Sequence, residues 1–242
     1  MSFTGFVIAA EIGVNIRAMI VNKTTLFFDL DGTLIDSVPD LATSLNATLQ
    51  DLGRVTFEED IIRQWIGNGA RVLVERGLSS SVSVDPMLGK ETVDGALSLF
   101  LKHYSKNVCE QTTLYSHVET TLYALKQRGY SLNIITNKPN EFIKPILSKL
   151  GIRHLFSTYL GGDSLPEKKP SPQPLLHGAR TLKVPIEECV MIGDSKNDLV
   201  AANAANMDSI GVTYGYHQGE DVRSYGPVYA FDKFDDLLSV LA

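Results

Sequence analysis

Residues 25–33 read TLFFDLDGT, an apolar run that ends in two carboxylates, a glycine and a threonine. A short, continuous apolar run is typical of a strand that is buried on both faces, as in parallel sheets. Because side chains alternate along a strand, we expect Asp29 and Asp31 on the same side of its carboxyl end. Open α/β sheets bind ligands at that end, and two neighbouring carboxylates need a cation or a shared proton to relieve their repulsion. This stretch therefore predicts a first strand that carries an acidic site, and Gly32 permits the sharp exit of the chain.

The rest of the chain alternates short apolar runs with amphipathic segments. This alternation predicts an α/β fold with a Rossmann-like parallel sheet core and the first strand at its centre. A capping pair, Ser116 with Glu119, marks one helix start, and Asn206 marks the end of a helix that starts near Asp198. The other strand candidates are residues 131–136, 158–161, 189–193, 209–213 and, more weakly, 228–231.

About a hundred residues between the first predicted strand and the candidate at residues 131–136 contain no good strand candidate. A simple crossover needs far less chain. We therefore divide the chain into a catalytic core, residues 25–37 and 113–242, and an inserted helical cap, residues 38–112. One long helical excursion packed on the sheet is the alternative. The predicted cap helices open at Ser37 and at Thr56, run from Ala70 to about Arg76, and follow the apolar stripe from Val93 to Tyr104.

The composition fits a globular protein with a full core and an acidic balance of charge. The chain has 242 residues, of which 44% are hydrophobic and 21% charged, and its formal net charge is −6. A nucleic-acid partner requires a basic surface, so none is predicted, and an anionic substrate would need cations concentrated in its site. Cys109 and Cys189 match no metal or redox spacing, so we interpret them as buried, reduced thiols of a cytoplasmic protein.

Residues 1–24 precede the first predicted strand and are interpreted as an N-terminal extension. Glu11 and Arg17 interrupt its apolar stretches, and no uncharged run approaches the roughly 20 residues of a membrane span. We therefore predict neither a signal peptide nor a membrane anchor. Met19 is an alternative start, which would leave residues 1–18 outside the native protein.

A second acidic cluster follows another predicted strand. Residues 189–198 read CVMIGDSKND, which places Asp194 at the carboxyl end of the strand and Asp198 in the first turn of the next helix. Carboxylates from two strand ends form a site of hard ligands, and Mg²⁺ is the natural ion because it keeps waters and substrate oxygens in its coordination sphere. For Asp198 alone, an acid that complements the helix dipole is an equally good interpretation.

Two further strand-end features suit a phosphate group. Thr136 and Asn137 offer a hydroxyl and backbone N–H groups just before a helix. Lys169 lies in a proline-rich loop, KKPSP, which can aim its ammonium group. Taken singly, such a threonine is more often a helix cap and such a lysine is more often solvated. All the strand-end features together indicate phosphoryl transfer to a carboxylate, with Mg²⁺ as cofactor and a small anionic phosphate ester as substrate.

These four runs, in this order, resemble the four motifs of the haloacid dehalogenase superfamily, and the resemblance extends from about Thr25 onward. DLDGT at 29–33 is similar to the first motif, Thr136 to the second, Lys169 to the third and GDSKND at 193–198 to the fourth. The helical insert after the first motif resembles the small cap of one subclass. Because the superfamily's dehalogenases lack the second acid, Asp31 implies phosphatase or mutase activity.

The resemblance implies a role for each matching residue. Asp29 would be the nucleophile that forms an aspartyl-phosphate, and Asp31 would protonate the leaving alcohol and later activate water. Asp29, Asp194 and the backbone carbonyl of Asp31 would bind Mg²⁺, and Asp198 would support the ion through water. The phosphate would be held by Thr136, Asn137 and Lys169.

A closer resemblance is to the bacterial phosphoglycolate phosphatases, and it implies hydrolysis of 2-phosphoglycolate to glycolate and phosphate. Part of it lies in the cap, where this subclass selects its substrate. We therefore expect the turn Gly67-Asn68-Gly69 to hold the substrate carboxylate, with Arg71 as the nearest cation. Asn206 departs from the usual glycine of these relatives, which affects only a helix end. The stretches that carry the resemblance are residues 65–78, 135–139, 161–176 and 212–220.

Three other functions compete with this interpretation. Within the same fold, a broad sugar-phosphate phosphatase and a hexose-phosphate mutase are the alternatives, and release of phosphate separates the phosphatases from the mutase. A phospho-accepting signalling module of the receiver type also uses an acid cluster, Mg²⁺, a hydroxyl and a lysine on a doubly wound sheet. The second acid, the cap and the chain length argue against that module. The sequence leaves the oligomeric state open.

Overall fold

The computed structural model describes residues 19–216 and 219–241. Residues 1–18 of the predicted N-terminal extension therefore lie outside the described residues. A six-stranded parallel sheet forms the centre of the fold, and a separate antiparallel pair of two-residue strands lies beside it. The strands are β1 (Thr25–Phe28), β2 (Ile35–Asp36), β3 (Thr113–Leu114), β4 (Ser131–Ile135), β5 (Phe156–Leu160), β6 (Cys189–Gly193), β7 (Asp208–Val212) and β8 (Tyr229–Phe231).

The order of the main sheet is β5-β4-β1-β6-β7-β8, which places β1 between β4 and β6. This confirms the predicted α/β fold with its parallel sheet. β1 ends two residues before its predicted end at Leu30, and β4 ends one residue before its predicted end at Thr136, because the chain turns into a loop at each point. The ladder nevertheless continues as single hydrogen bonds, from Asp29 N to Ile192 O at 2.9 Å and from Thr136 N to Leu160 O at 3.0 Å. Asp29 and Thr136 are therefore each held at the end of a strand by a backbone hydrogen bond to the neighbouring strand.

Helices cover both faces of the main sheet. The side chains of β1 alternate between two apolar clusters, with Phe28 in the larger one and Phe27 in the smaller one. Leu122 and Phe142 belong to the larger cluster, and Leu175 belongs to the smaller one. The helices are α1 (Val38–Asp51), α2 (Glu59–Arg63), α3 (Ala70–Ser79), α4 (Lys90–Lys106), α5 (Val118–Gln127), α6 (Asn140–Lys149), α7 (Gln173–Leu182) and α8 (Lys196–Ala204).

The first four helices lie between β2 and β3, and they pack on one another through α1. Leu45, Val74 and Phe100 lie in their interior and are almost fully buried. The same apolar cluster continues into the sheet layer, where the ring of Tyr104 meets the ring of Phe142 edge-on at 4.8 Å between centroids. The division into a core and a cap at residues 38–112 stays a prediction.

Several helix starts differ from the predictions. α5 begins at Val118 after His117, which is left-handed with φ 65°, and no side chain caps it. The predicted capping pair of Ser116 and Glu119 is therefore wrong, because the helix starts too late for Glu119 to be its third residue. α2 begins at Glu59 rather than at Thr56.

The end of α3 and the start of α8 also differ from the predictions, whereas the residue predicted to end α8 has the expected conformation. α3 continues to Ser79, three residues beyond the predicted end. α8 begins at Lys196, two residues before the predicted start, because Ser195 and Asp198 form a capping box there. Asn206 is left-handed with φ 54°, as predicted for the end of this helix.

The opening of α1 also uses its polar residues in an unexpected way. Ser37 is the N-cap residue, but its side chain does not cap the helix. Asp40 accepts hydrogen bonds from Gln111 N at 2.9 Å and from Thr112 N at 2.9 Å, so it ties the start of α1 to the segment that leads into β3. These contacts join the two ends of the helical insert.

The two cysteines, Cys109 and Cys189, are free and buried, as predicted. Burial raises the pKa of both thiols, and that of Cys189 to about 11. Within residues 19–216 and 219–241, no helix combines the length and the apolar character that crossing a membrane requires.

Candidate active site

The ends of three adjacent strands bring the predicted site residues together. Asp29 follows β1, Asp194 follows β6 and Thr136 follows β4. Asp29, Asp31 and Thr136 line a cavity that the helical insert covers from the other side. The parallel arrangement explains this convergence, because all carboxyl ends of such a sheet lie at one edge.

Asp29 is 8% exposed and lies against a buried lysine. Lys169 Nζ donates to Asp29 Oδ1 at 2.9 Å, to Asp198 Oδ1 at 2.6 Å and to Ile135 O at 2.5 Å. Burial raises the pKa of Asp29 to about 6, and the Lys169 ammonium opposes part of this rise. Since Lys169 contacts only Oδ1, it orients the carboxylate without occupying its second oxygen.

Asp194 lies almost fully buried beside two other carboxylates. One oxygen each from Asp29, Asp194 and Asp198 lies within 4.8 Å of the others. Asp194 accepts hydrogen bonds from Thr33 Oγ1 at 2.7 Å and from Tyr216 N at 2.6 Å. Burial, together with the charges of Asp198 and Asp29, raises its pKa well above the ordinary value.

This carboxylate cluster fits a divalent cation. Over the part of the chain that the structure describes, no lysine, arginine or histidine forms an ion pair with Asp194, whereas Asp29 and Asp198 share Lys169. Buried carboxylates without a balancing cation are strongly disfavoured, and oxygen donors in this number suit Mg²⁺. Thr33 and Tyr216, which hold Asp194 in place, escaped the sequence analysis. Thr33 had a usable signal as the last residue of DLDGT.

Asp198 caps a helix, as one of the two interpretations predicted, and it also contacts the buried lysine, while its role in supporting a metal stays a prediction. Its Oδ2 accepts hydrogen bonds from Ser195 N at 3.1 Å and from Ser195 Oγ at 2.6 Å, which caps α8. Its Oδ1 accepts from Lys169. The residue is therefore a helix cap and, at the same time, a partner of the lysine that contacts Asp29.

Asp31 faces a second buried lysine. Lys138 Nζ lies 2.9 Å from Asp31 Oδ1 and 3.1 Å from Oδ2, and Ser37 Oγ donates to Oδ1 at 2.6 Å. Burial alone would lower the pKa of Lys138, but the Asp31 carboxylate raises it above its ordinary value. Gly32 has φ 93°, which explains how the chain turns away after Asp31. The sequence analysis did not select Lys138, although its position two residues after Thr136 was a signal.

The loop after β4 contributes Thr136 and Asn137. Thr136 lines the cavity, and its Oγ1 accepts from Lys138 N at 3.3 Å. The side-chain amide of Asn137 donates to Gly67 O at 3.3 Å and to Lys169 O at 3.0 Å, while its buried Oδ1 has no hydrogen-bond partner among the residues that the structure describes. Asn137 thus joins the lysine loop to the helical insert.

The turn Gly67-Asn68-Gly69 closes one side of the cavity. Gly67 and Gly69 have φ of 113° and 87° and both line the cavity. Lys168 Nζ donates to Asn68 O at 2.7 Å, and Asn197 Nδ2 donates to Gly67 O at 3.2 Å. The turn therefore contacts the loop that carries Lys168 and the first turn of α8.

Arg71 does not join this turn at the cavity. Its guanidinium forms an ion pair with Asp94 and lies 3.9 Å from Glu75, and its side chain is 44% exposed. It is absent from the cavity wall formed by the described residues. The ion pairs hold Arg71 between α3 and α4, away from the carboxylates.

Comparison with known proteins agrees with this geometry. The family model for haloacid dehalogenase-like hydrolases matches residues 26–212. The chain belongs to this family. A phosphoglycolate phosphatase from Colwellia psychrerythraea is 53% identical to this haloacid dehalogenase-like hydrolase over 216 residues, which cover 89% of this chain and 96% of the relative. A phosphoglycolate phosphatase from Psychrobacter arcticus is 48% identical over 222 residues, covering 91% and 96%.

Solved structures share the same architecture. A crystal structure of a predicted phosphoglycolate phosphatase from Haemophilus somnus 129PT superposes with a TM-score of 0.83 at 38% identity, covering 90% of this chain and 98% of that one. Among the haloacid dehalogenase-like hydrolases, this chain is therefore a phosphoric monoester hydrolase. The presence of Asp31 beside Asp29 agrees with this activity.

Proposed function

We propose that this phosphatase hydrolyses 2-phosphoglycolate to glycolate and phosphate, with Mg²⁺ and with an aspartyl-phosphate at Asp29 as intermediate. The observation that carries the proposal is the pair Asp29 and Asp31, which line one cavity and are each held by a different buried lysine. The names of the relatives at 53% and 48% identity support the substrate.

Asp29 acts as the nucleophile. Lys169 holds Oδ1, so Oδ2 attacks phosphorus while the bond from phosphorus to the ester oxygen breaks. The result is an acyl phosphate on Asp29 and a free glycolate. The pKa of about 6 leaves Asp29 ionised, and therefore nucleophilic, near neutral pH.

Asp31 acts as general acid and then as general base. It gives a proton to the departing ester oxygen in the first step. In the second step it takes a proton from the water that attacks the phosphorus, which releases phosphate and restores the Asp29 carboxylate. Ser37 Oγ, 2.6 Å away, and Lys138 keep the Asp31 carboxylate directed at the cavity.

Mg²⁺ would be held by Asp29, Asp194 and the backbone carbonyl of Asp31, with Asp198 in support through water. When bound, the ion neutralises negative charge that otherwise repels an anionic nucleophile from a phosphate. Hydrogen bonds from Thr33 Oγ1 and from Tyr216 N hold the Asp194 carboxylate in position for this role. Buried carboxylates that bind a cation have raised pKa values without it, as Asp29 and Asp194 do.

Thr136 and Asn137 hold the remaining phosphate oxygens, and Lys169, whose ammonium contacts Asp29, Asp198 and Ile135 O, offsets the charge of the phosphate from behind Asp29. The Thr136 hydroxyl lines the cavity and has one accepting contact, so its own proton is available to an oxygen of the phosphate. Residues 38–112 act as a cap on the core, since α1 to α4 lie between the short strands β2 and β3. The buried free cysteines support a cytoplasmic location.

A panel of phosphate esters that measures released phosphate tests the proposal. We expect 2-phosphoglycolate to have the highest kcat/KM, and we expect chelation of Mg²⁺ to stop the reaction. A higher kcat/KM for sugar phosphates would replace the substrate and leave the phosphatase activity intact. Conversion of one hexose phosphate into another without release of phosphate would indicate a mutase.

A further inference from the structure

The cavity has a single source of positive charge on its wall. Among the described residues that line it, Lys138 is the only cationic side chain. Lys169 lies behind Asp29, and its ammonium already contacts Asp29, Asp198 and a backbone carbonyl. The lining from the helical insert is uncharged, so no residue there balances a second negative group on a substrate.

Tyr104, on α4 of the insert, provides a second polar group beside this lysine. It is 1% exposed and it lines the cavity, and among the described residues its hydroxyl has no hydrogen-bond partner at 3.5 Å or less, although the charge of Lys138 acts on its pKa. Lys138 Nζ lies 4.8 Å from the centroid of its ring. A buried hydroxyl without a partner is uncommon in folded proteins, and at the wall of a cavity it is available to a ligand.

We propose that Lys138 and Tyr104 form the subsite that binds the carboxylate of the substrate. This inference rests on the proposed hydrolysis of 2-phosphoglycolate. Lys138 and Tyr104 thereby replace the turn at Gly67 and the guanidinium of Arg71 as the source of selectivity for a carboxylate. The ammonium supplies the charge, and the tyrosine hydroxyl donates a hydrogen bond from the insert.

The size of the substrate agrees with the position of Lys138. In 2-phosphoglycolate the carboxylate carbon is two bonds away from the ester oxygen. Asp31 must reach that oxygen to protonate it, so the carboxylate necessarily lies close to Asp31. Lys138 Nζ is 2.9 Å from Asp31 Oδ1. The only cationic side chain among the described residues of the wall therefore lies close to the position that the carboxylate of so short a substrate must take.

Lys138 can serve Asp31 and the substrate together. An ammonium group has three N–H donors, and the Asp31 carboxylate faces this one with its two oxygens at 2.9 and 3.1 Å. At least one donor is left for a substrate carboxylate. Lys138 therefore lowers the repulsion between Asp31 and an incoming carboxylate, which a neutral residue at this position would leave uncompensated.

This subsite disfavours longer substrates. Polar groups of a longer substrate would share the cavity with Leu41, Leu73 and Phe100, whose side chains offer no hydrogen bonds. Burying a hydroxyl against such residues without a partner is unfavourable. The same two residues thus favour a short carboxylated phosphate ester over a sugar phosphate.

The test compares 2-phosphoglycolate with ethyl phosphate, which has a methyl group in place of the carboxylate. Lys138→Met removes the charge at nearly the same side-chain length, and Tyr104→Phe removes only the unpaired hydroxyl. We expect the ratio of kcat/KM for 2-phosphoglycolate over ethyl phosphate to fall about 10- to 100-fold in Lys138→Met and about 3- to 10-fold in Tyr104→Phe. Acetate should inhibit hydrolysis of ethyl phosphate by the wild type more strongly than by Lys138→Met.

Each outcome has one meaning. An equal loss of both substrates in Lys138→Met, with the ratio unchanged in both variants, overturns the subsite and assigns Lys138 to Asp31 or to the phosphate. Tyr104→Phe keeps the test valid if Lys138→Met fails to fold, because it removes one hydroxyl that has no hydrogen-bond partner at 3.5 Å or less among the described residues. A wild type that prefers ethyl phosphate refutes the proposed substrate instead, and a wild type that prefers 2-phosphoglycolate with an unchanged ratio in the variants refutes only the subsite.

Discussion

Replacing Asp29 with asparagine should abolish activity and, without metal, stabilise the folded protein. The amide has the same shape as the carboxylate but cannot attack phosphorus, so kcat should fall by several orders of magnitude. The stabilisation follows from the pKa of Asp29, which burial and the neighbouring Asp198 raise to about 6 although Lys169 opposes the rise. The folded protein therefore tolerates the ionised form less well than the unfolded chain does.

The magnitude follows from the difference between the ordinary pKa of 3.8 and the value of about 6. This difference corresponds to about 3 kcal/mol of the free energy of unfolding above pH 6 to 7. Because the folded-state pKa is the higher one, the folded protein binds more protons between pH 4 and pH 6, and stability falls as the pH rises through that window. Asp29→Asn lacks this fall, so its advantage should be about 3 kcal/mol at pH 8 and about half of that at pH 5.

Urea unfolding of metal-free protein in a chelator, at pH 5 and pH 8, measures both values. Asp60→Asn is the matched control, since this exposed carboxylate on α2 should change stability by less than about 0.5 kcal/mol at either pH. Added Mg²⁺ should stabilise the wild type more than Asp29→Asn and narrow the gap. If Asp29→Asn is less stable than the wild type by the same amount at both pH values, Lys169 outweighs burial and the reasoning fails.

Four further substitutions test the other parts of the site. Asp31→Asn should slow hydrolysis of alkyl phosphates more than that of p-nitrophenyl phosphate, whose leaving group needs little protonation, and a quenched reaction should show accumulated phosphoenzyme; equal losses with no accumulation would contradict the acid–base role. Asp194→Asn should raise the Mg²⁺ concentration needed for half-maximal activity more than Asp198→Asn does, and the reverse ranking in a Mg²⁺ titration would exchange their roles. Gly69→Ala should lower kcat/KM for 2-phosphoglycolate several-fold, because the left-handed φ of 87° and the new Cβ at 3.0 Å from Asn137 O both disfavour the closed turn; unchanged kinetics would show that the turn adjusts without cost.

The strand ends were predictable from the sequence because their geometry follows from local rules. An apolar run that ends in a polar residue defines a buried strand, and parallel strands put those residues at one edge. Asp29, Asp194 and Thr136 could therefore be brought together without knowing any contact. The direction of the Lys169 side chain and its two carboxylate partners could not be predicted in this way, although the proline-rich loop marked Lys169 as a candidate site residue.

The features that escaped prediction depend on contacts across the chain. Lys138 is separated from Asp31 by 107 positions, and nothing in its own sequence neighbourhood announces a carboxylate partner. Arg71 was the nearest cation in sequence, yet its pairing with Asp94 on α4 keeps it away from the cavity. The Ser116 and Glu119 pattern failed because a left-handed His117 delays the helix start. Local sequence patterns thus predicted the helices and strands, whereas the ion-pair partners of Lys138 and Arg71 became known only from the tertiary structure.

The balance of charge explains why these groups lie together. If all four carboxylates are ionised they carry four negative charges, and the two ammonium groups offset two of them, which leaves an excess of two negative charges in a site with little access to water. A single divalent cation cancels this excess, whereas a monovalent ion leaves the site anionic toward an anionic substrate. Lys169 stabilises the carboxylates behind the nucleophile, and Lys138 stabilises the acid in front of it, so each charge pair keeps a different catalytic group in place. The groups concerned are Asp29, Asp31, Asp194, Asp198, Lys138 and Lys169.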